Sequence, residues 1–446
     1  MSTAHSKKAS AFLKNKEYAA WHDGTFWSVR EKRDRMAGAL PEWEELREKA
    51  SAIKRHTLSH LADYLEEFAA NAEKNGAHVH WAADAREFNA IVLDILQNHG
   101  VRKMVKSKSM LTEECGMNPF LEANGIEVVE TDLGERIIQL KGQKPSHIVM
   151  PAIHLSHDDV GRLFEEKGIS DDIGNHDPTY LTFRARLSLR GEFLSADAGM
   201  TGANFGIAST GDIVVCTNEG NADMSTSCPK LHIAAIGLEK IIPDYDSLAV
   251  FQRMLCRAGT GQPTTTYTSH FRGPRPGGEM HIVLVDNGRS SWLSDEDHRE
   301  TLKCIRCGSC MNSCPVYRRS GGYSYSYFIP GPIGINLGML RSPKEHSGNL
   351  SACTLCLSCQ SVCPVKVNLG DQIYRWRQQL RDFVTYNMGK KILSDTLSLG
   401  YGNKGLYNAA TAVFHAANIL PESIIPFRLR FPKKPFHSLI KELENE

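Results

Sequence analysis

Eight of the twelve cysteines in this 446-residue chain fall into two copies of one spacing. Residues 304–315 read C-I-R-C-G-S-C-M-N-S-C-P, and residues 353–364 read C-T-L-C-L-S-C-Q-S-V-C-P. Each is Cys-x2-Cys-x2-Cys-x3-Cys-Pro, the run that houses cubane clusters in bacterial two-cluster ferredoxins. Thiolates are soft ligands, and four of them suit iron–sulfur chemistry or zinc. Zinc knuckles join two separated Cys-x2-Cys pairs, whereas here three cysteines share one tight turn and a fourth follows before Pro. In that arrangement the first three thiolates of a run hold one cluster and the fourth reaches across to the other. The spacing therefore assigns Cys304, Cys307, Cys310 and Cys363 to one 4Fe–4S cluster. It assigns Cys353, Cys356, Cys359 and Cys314 to a second. Structural zinc or disulfides would need the doubled spacing to be a coincidence. The chemistry is electron transfer.

The bulk composition narrows the setting. The chain is long enough for two or three domains, and 23% charged with 41% hydrophobic residues is ordinary for a globular protein. A net charge of +1 gives no electrostatic case for nucleic acid or an anionic membrane. The other cysteines, Cys115, Cys216, Cys228 and Cys256, are scattered and expected as reduced core thiols. The N-terminal stretch is basic without a long apolar run, so no secretory signal is expected. No run of eighteen apolar residues predicts a transmembrane segment. Thiolate-held clusters favour a reducing compartment, and the expected location is cytoplasmic.

Other elements must hold the cysteine runs in place. Residues 1–50 are expected as an N-terminal arm or early helix, laid on the body or on a partner. Pro41-Glu42-Trp43-Glu44-Glu45 reads as a helix start, and Leu58, Leu61, Leu65 and Phe68 recur at helical steps before Gly76. Strands are predicted at 78–82, 101–105, 126–130 and 146–151, with helices opening at Asp84 and Thr112. A helix over 177–195 follows, then a hairpin of 205–208 with 213–216 across Ser209-Thr210-Gly211-Asp212. Strands at 231–236, 264–271 and 281–285 flank a helix at 244–256. This alternation predicts right-handed βαβ units and a parallel sheet, an α/β domain over 51–293. Neither a Gly-x-Gly-x-x-Gly fingerprint after the early strands nor a Walker A loop is present. Such a sheet binds ligands beyond the carboxyl ends of its strands, near a topological switch point.

A short connecting helix at 294–303 leads into an α-helical cluster domain over 294–385, closed by a helix at 371–383. Between the runs, 315–352 either covers the clusters and meets a partner or packs as a loop. The segment 386–446, with Arg428, Arg430, Lys433 and Lys434, reads as a docking segment in peripheral contact with a membrane or partner, or as a packed tail.

A polar constellation gathers in the α/β domain. Asn204, Thr210, Glu219 and Asn221, with neighbouring glycines, suit a small polar or anionic ligand. Arg272 and Arg275, on a Gly/Pro loop, suit bidentate capture of a carboxylate. The competing reading is that these residues only shape the turns of a short-stranded sheet. His232 and His281 fall inside strands and are expected to be satisfied core or surface residues.

The chain resembles the lactate utilization protein B family. The resemblance rests on T-G-A-N-F-G-I-A-S-T-G at 201–211, T-N-E-G-N at 217–221, G-P-R-P-G-G-E at 273–279, D-N-G-R at 286–289 and the doubled cysteine run. It implies a LUD domain with a parallel or mixed sheet, similar to the sugar-phosphate isomerase and formyltetrahydrofolate cyclo-ligase folds, followed by a two-cluster ferredoxin-type domain. It implies an iron–sulfur electron-transfer subunit of a bacterial complex oxidising L-lactate to pyruvate. The implied partners are a cysteine-rich subunit related to heterodisulfide reductase and a LUD-only subunit. Three alternatives stay open: a LUD domain itself catalytic on lactate, service to another 2-hydroxy acid dehydrogenase such as that for glycolate, and a scaffold with a degenerate pocket. No catalytic residue is implied.

Overall fold

The computed structural model describes residues 4–383 and scattered positions beyond them (392, 395–396, 398–400, 402–409 and 440). Residues Met1–Leu380 form one compact unit. Arg428, Arg430, Lys433 and Lys434 of the expected docking segment lie outside the described residues.

Ten strands are formed in chain order: β1 (His78–Ala82), β2 (Lys103–Lys106), β3 (Glu127–Glu130), β4 (Ala198–Gly202), β5 (Phe205–Ile207), β6 (Asp212–Thr217), β7 (Leu231–Gly237), β8 (Ile241–Ile242), β9 (Tyr267–Phe271) and β10 (Glu279–Val285). Six make the main sheet in the order β1-β10-β7-β4-β2-β3, every neighbouring pair parallel. The expected parallel α/β architecture is therefore observed. Its central strands β4 and β7 are buried at every position, as a sheet covered on both faces requires. The helix Ala85–Asn98 starts where Asp84 accepts a hydrogen bond from the Glu87 amide. It lays Phe88, Val92, Ile95 and Leu96, at three- and four-residue steps, into the core beneath β7 and β10.

The chain runs outward from β2 to β3, then steps back across β2 to β4, β7 and β10. The direction reverses between β2 and β4, so the switch point lies there. The second sheet, β8-β5-β6-β9, is mixed: the expected β5–β6 hairpin is antiparallel, and β8 joins β5 in parallel.

Three local expectations are revised, and two elements are found that the sequence pattern did not predict. Residues 146–151 form a turn, in which the Ser146 amide and hydroxyl both donate to the Pro151 carbonyl (3.1 and 3.0 Å). Its apolar residues look strand-like because Ile148 and Val149 face internal cavities. The helix after Thr112 breaks into Met110–Glu114 and Met117–Ala123 at Gly116, whose φ is 62°. The connecting helix is a short 3-10 turn, Arg299–Lys303. β4 was hidden inside a Gly- and Thr-rich stretch, and the helix His157–Glu166 was announced only by its Ser156–Asp159 capping box.

The N-terminal helices Lys16–Gly38 and Trp43–Ser59 lie on the body, against the second cysteine run. Arg33 donates to the Val362 carbonyl (3.0 Å) and Arg47 to the Cys363 carbonyl (2.9 Å).

Candidate redox site and adjoining cavity

The eight cysteines of the repeat gather around two small cavities. Cys304, Cys307, Cys310 and Cys363 line one of about 20 Å³. Cys314, Cys353, Cys356 and Cys359 line another of about 20 Å³. All twelve cysteines of the chain are free thiols. Burial raises the thiol pKa at six of the eight, Cys314 to about 11 and Cys310 well beyond its ordinary range. Two tight sets of four soft donors, unpaired as disulfides, fit iron that draws off the thiol protons.

The two runs repeat in backbone as well as in sequence. Arg306 and Gly308 have φ of 60° and 78°, and their counterparts Leu355 and Leu357 have 55° and 59°. Left-handed backbone costs a non-glycine residue about 1 kcal/mol or more, strain typical of functional loops. Here it turns amides toward sulfur. Arg306 N lies 3.4 Å from Cys304 Sγ and Leu355 N lies 3.3 Å from Cys353 Sγ. Tyr317 N and Val367 N do the same for Cys314 and Cys363, at 3.5 and 3.3 Å. Such amides stabilise negative charge on sulfur and tune a cluster's potential.

The segment between the runs supplies apolar walls. In the helix Gly331–Arg341 every residue from Gly331 to Met339 is buried. Ile333 lines the first cysteine cavity, while Ile335 and Pro332 line the second. Gly334 is required between them, since a Cβ there would sit 1.8 Å from the Ile329 carbonyl oxygen. The segment thus covers both cysteine sites.

A larger cavity, about 330 Å³, opens beyond the carboxyl ends of β2, β4 and β7, at the switch point. Ser107, Lys108 and Ser109 after β2, Asn204 after β4, and Gly237, Glu239 and Lys240 after β7 contribute to it. Its wall reaches the cluster loop, because Arg306 lines it. Ile148 belongs to the walls of both this cavity and the first cysteine cavity. At that end Arg289, fully buried, bridges Glu114 (2.9 Å) and Glu239. Burial alone would raise the Glu239 pKa, but Arg289, Arg306 and Lys240 hold it at about 2. Gly237 is forced here, as a Cβ would lie 2.3 Å from Glu239 Oε2.

The opposite end is carboxyl-rich. Glu219 accepts from the Leu133 amide (2.9 Å). Although its side chain is open to the cavity's water, surrounding protein and the neighbouring Asp132 push its pKa to about 7. Nearby, buried Glu135 is raised to about 8 by desolvation, which Lys108 at 3.8 Å does not offset. Between pH about 4.5 and 8 the native state then holds a proton that the unfolded chain releases. Stability should fall as pH rises through that window. Glu135→Gln should remove the slope, gaining on the order of 3 kcal/mol over the parent by pH 8.5 relative to pH 5. Equal thermal midpoint gaps at the two pH values would refute this.

Asn204, Glu219 and Asn221 line this cavity. Asn204 also ties β6 down, accepting from the Cys216 amide at 2.8 Å. Thr210 and Arg272 are not among its lining residues. Arg272 does clamp a carboxylate bidentately, but an internal one: its Nε and Nη2 donate to Asp212 at 2.8 and 3.1 Å. Thr210 sits in the β5–β6 turn, its carbonyl accepting from Asn75. Arg275 is spent on the Ser227 and Cys228 carbonyls. His232 is satisfied by Thr201 (2.9 Å), and His281 lies between His80 and Glu279 (2.9 and 3.0 Å). Sequence reasoning missed Ser107, Lys240 and Arg306, which sit at strand ends and in a cysteine loop with no motif of their own.

The LUD domain family matches residues 65–289, and a 4Fe–4S dicluster domain matches 300–367. Lactate utilization protein B of Shouchella clausii is 41% identical over 397 residues, covering 87% of this chain and 82% of that protein. The chain belongs to the lactate utilization protein B family. A second relative, the uncharacterized electron transport protein YkgF of Escherichia coli K12, is 42% identical, covering 78% of this chain and 74% of its own length. A crystal structure of a DUF162 family protein from Deinococcus radiodurans is 15% identical, with a TM-score of 0.29 over 50% of this chain and 98% of its own. The span matched by the dicluster domain contains all eight repeat cysteines. Among the described residues no helix is long and apolar enough to cross a membrane.

Proposed function

We propose that this chain is the iron–sulfur electron-transfer subunit of a cytoplasmic complex that oxidises L-lactate to pyruvate. The observation that carries the reading is the pair of four-cysteine cavities, each drawing three cysteines from one run and one from the other. Cys304, Cys307, Cys310 and Cys363 would hold one 4Fe–4S cluster, and Cys353, Cys356, Cys359 and Cys314 the other. When bound, each cluster supplies a one-electron acceptor. Oxidation of a 2-hydroxy acid releases two electrons, so two sites match the demand. Cys356 is the exposed member of the eight, which turns the second site toward solvent and an acceptor. The partners in this reading are a cysteine-rich heterodisulfide-reductase-like subunit and a LUD-only subunit; the relative's name, lactate utilization protein B, is in keeping only with a system of several proteins.

The test is anaerobic purification with iron and sulfide analysis, then EPR after adding L-lactate. Eight irons per chain, with reduction only when the partner subunits are present, is the expected result. Four irons or fewer in fully reconstituted protein would refute the two-cluster assignment.

A second reading, that the LUD domain itself acts on lactate, is favoured by the wall that the large cavity shares with the first cysteine site. Glu219→Gln separates the two readings. Lost lactate turnover with iron content and assembly intact would support LUD catalysis, and unchanged turnover would exclude a Glu219-dependent reaction.

A further inference from the structure

The large cavity holds several polar groups that the protein leaves unused. Ser107, 1% exposed, has an Oγ with no hydrogen-bond partner. Thr217 Oγ1 and Arg306 Nη1 are likewise buried and unpartnered. Lys240 lines the same space and makes no ion pair or hydrogen bond among the described residues. Buried polar groups are normally satisfied, and each one that is not costs about 1–3 kcal/mol. Three such groups around a single cavity, with Lys240 beside them, point to a missing occupant with complementary groups.

The charges say what kind. Arg289 is consumed by Glu114 and Glu239, and Arg306 meets Glu239 only at 3.7 Å. Lys240 and the free face of Arg306 are therefore uncommitted cations at the cluster end. The carboxyls of Glu219 and Asp132 answer instead to Lys108 at the other end. The cavity is polarised: at the end toward Cys304 the three cations Arg289, Arg306 and Lys240 outnumber the carboxylates of Glu114 and Glu239, Glu219 and Asp132 lie at the other end, and unpaired hydroxyls from Ser107 and Thr217 stand on its wall.

We infer that this cavity binds a small monocarboxylate bearing a 2-hydroxy or 2-oxo group, its carboxylate held by Lys240 and Arg306 and its second oxygen by the hydroxyl groups of Ser107 and Thr217. This deepens the lactate reading by naming the recognising residues, and it requires only binding, whichever subunit performs the oxidation. Ile148, which belongs to both walls, would then stand between the bound acid and the first cysteine site. Pairing with a carboxylate is the strong, charge-assisted kind of hydrogen bond.

The test is calorimetric titration of the anaerobic, cluster-loaded full chain with L-lactate and pyruvate, and with acetate and phosphate as comparison anions. L-lactate or pyruvate should bind in the micromolar-to-millimolar range and more tightly than acetate or phosphate. Lys240→Met should weaken that binding about 10- to 100-fold. Thr217→Val, a near-isosteric change, should weaken the 2-hydroxy and 2-oxo acids while leaving acetate unaffected, and it keeps the test open if Lys240→Met fails to fold. Iron content measured on the same samples separates this inference from the cluster assignment: eight irons with no anion binding would overturn only the cavity reading. Unchanged affinity in Lys240→Met, or phosphate binding tighter than both acids, would also overturn it.

Discussion

Cys363→Ser should strip the cluster assigned to the first cysteine run, although Cys363 lies in the second. Cys363 lines the cavity of Cys304, Cys307 and Cys310 and not that of Cys353, Cys356 and Cys359. A serine hydroxyl is a harder and far less acidic donor than a thiol, so it replaces a cluster thiolate poorly. Its neighbours sharpen the effect. The Val367 amide aims at Cys363 Sγ from 3.3 Å, and Arg47 grips the Cys363 carbonyl at 2.9 Å, so the residue is held for one partner set. The expected result is loss of about half the iron, with one EPR signal surviving, and electron transfer reduced by at least about 100-fold. The mirror change, Cys314→Ser, should spare the first site and strip the second. If Cys363→Ser instead lost the cluster of Cys353, Cys356 and Cys359, each run would house its own four ligands and the crossed assignment would fall.

That crossing was legible because the spacing itself encodes it: three thiolates in one turn leave the fourth pointing elsewhere. The parallel sheet was legible for a similar reason, since apolar runs such as those of β7 and β10 alternate with helical periodicity. What escaped were features set by tertiary neighbours. Ile148 and Val149 look like a strand locally, yet their apolar character serves cavity walls that only the folded chain creates. Arg272 looks like a ligand clamp until Asp212, sixty residues away, is found beneath it. Lys240 and Arg306 carry no local signature, because an uncommitted cation is defined by partners it lacks.

The D-N-G-R stretch at 286–289 carries part of the family resemblance and closes β10 as a turn, and its physical role predicts a large stability effect. Asn287 and Gly288 both take positive φ, 44° and 92°, turning the chain sharply at the end of β10. Asp286 accepts from the Ser290 amide (2.7 Å), and Asn287 Nδ2 donates to Glu114 (2.7 Å). The turn thereby delivers Arg289 into the interior, where it binds Glu114 through both terminal nitrogens (3.1 and 2.9 Å) and Glu239 through Nε. Arg289→Met would leave two carboxylates, 6% and 3% exposed, without their main counter-charge. Breaking a buried pair in this way costs about 3–5 kcal/mol, because the remaining charge stays desolvated. Lys54 is spent on the Glu239 carbonyl, its pKa lowered to about 7 by burial, so it does not take the place of Arg289. Chemical denaturation should show Arg289→Met destabilised by that amount at pH 7. Without Arg289, burial would push the Glu239 pKa upward, so the loss should shrink as pH falls toward 5. A variant as stable as the parent at pH 7 would mean that the triad is not a structural anchor. A loss independent of pH would mean that packing of the arginine stem, rather than its charge, holds the cavity wall.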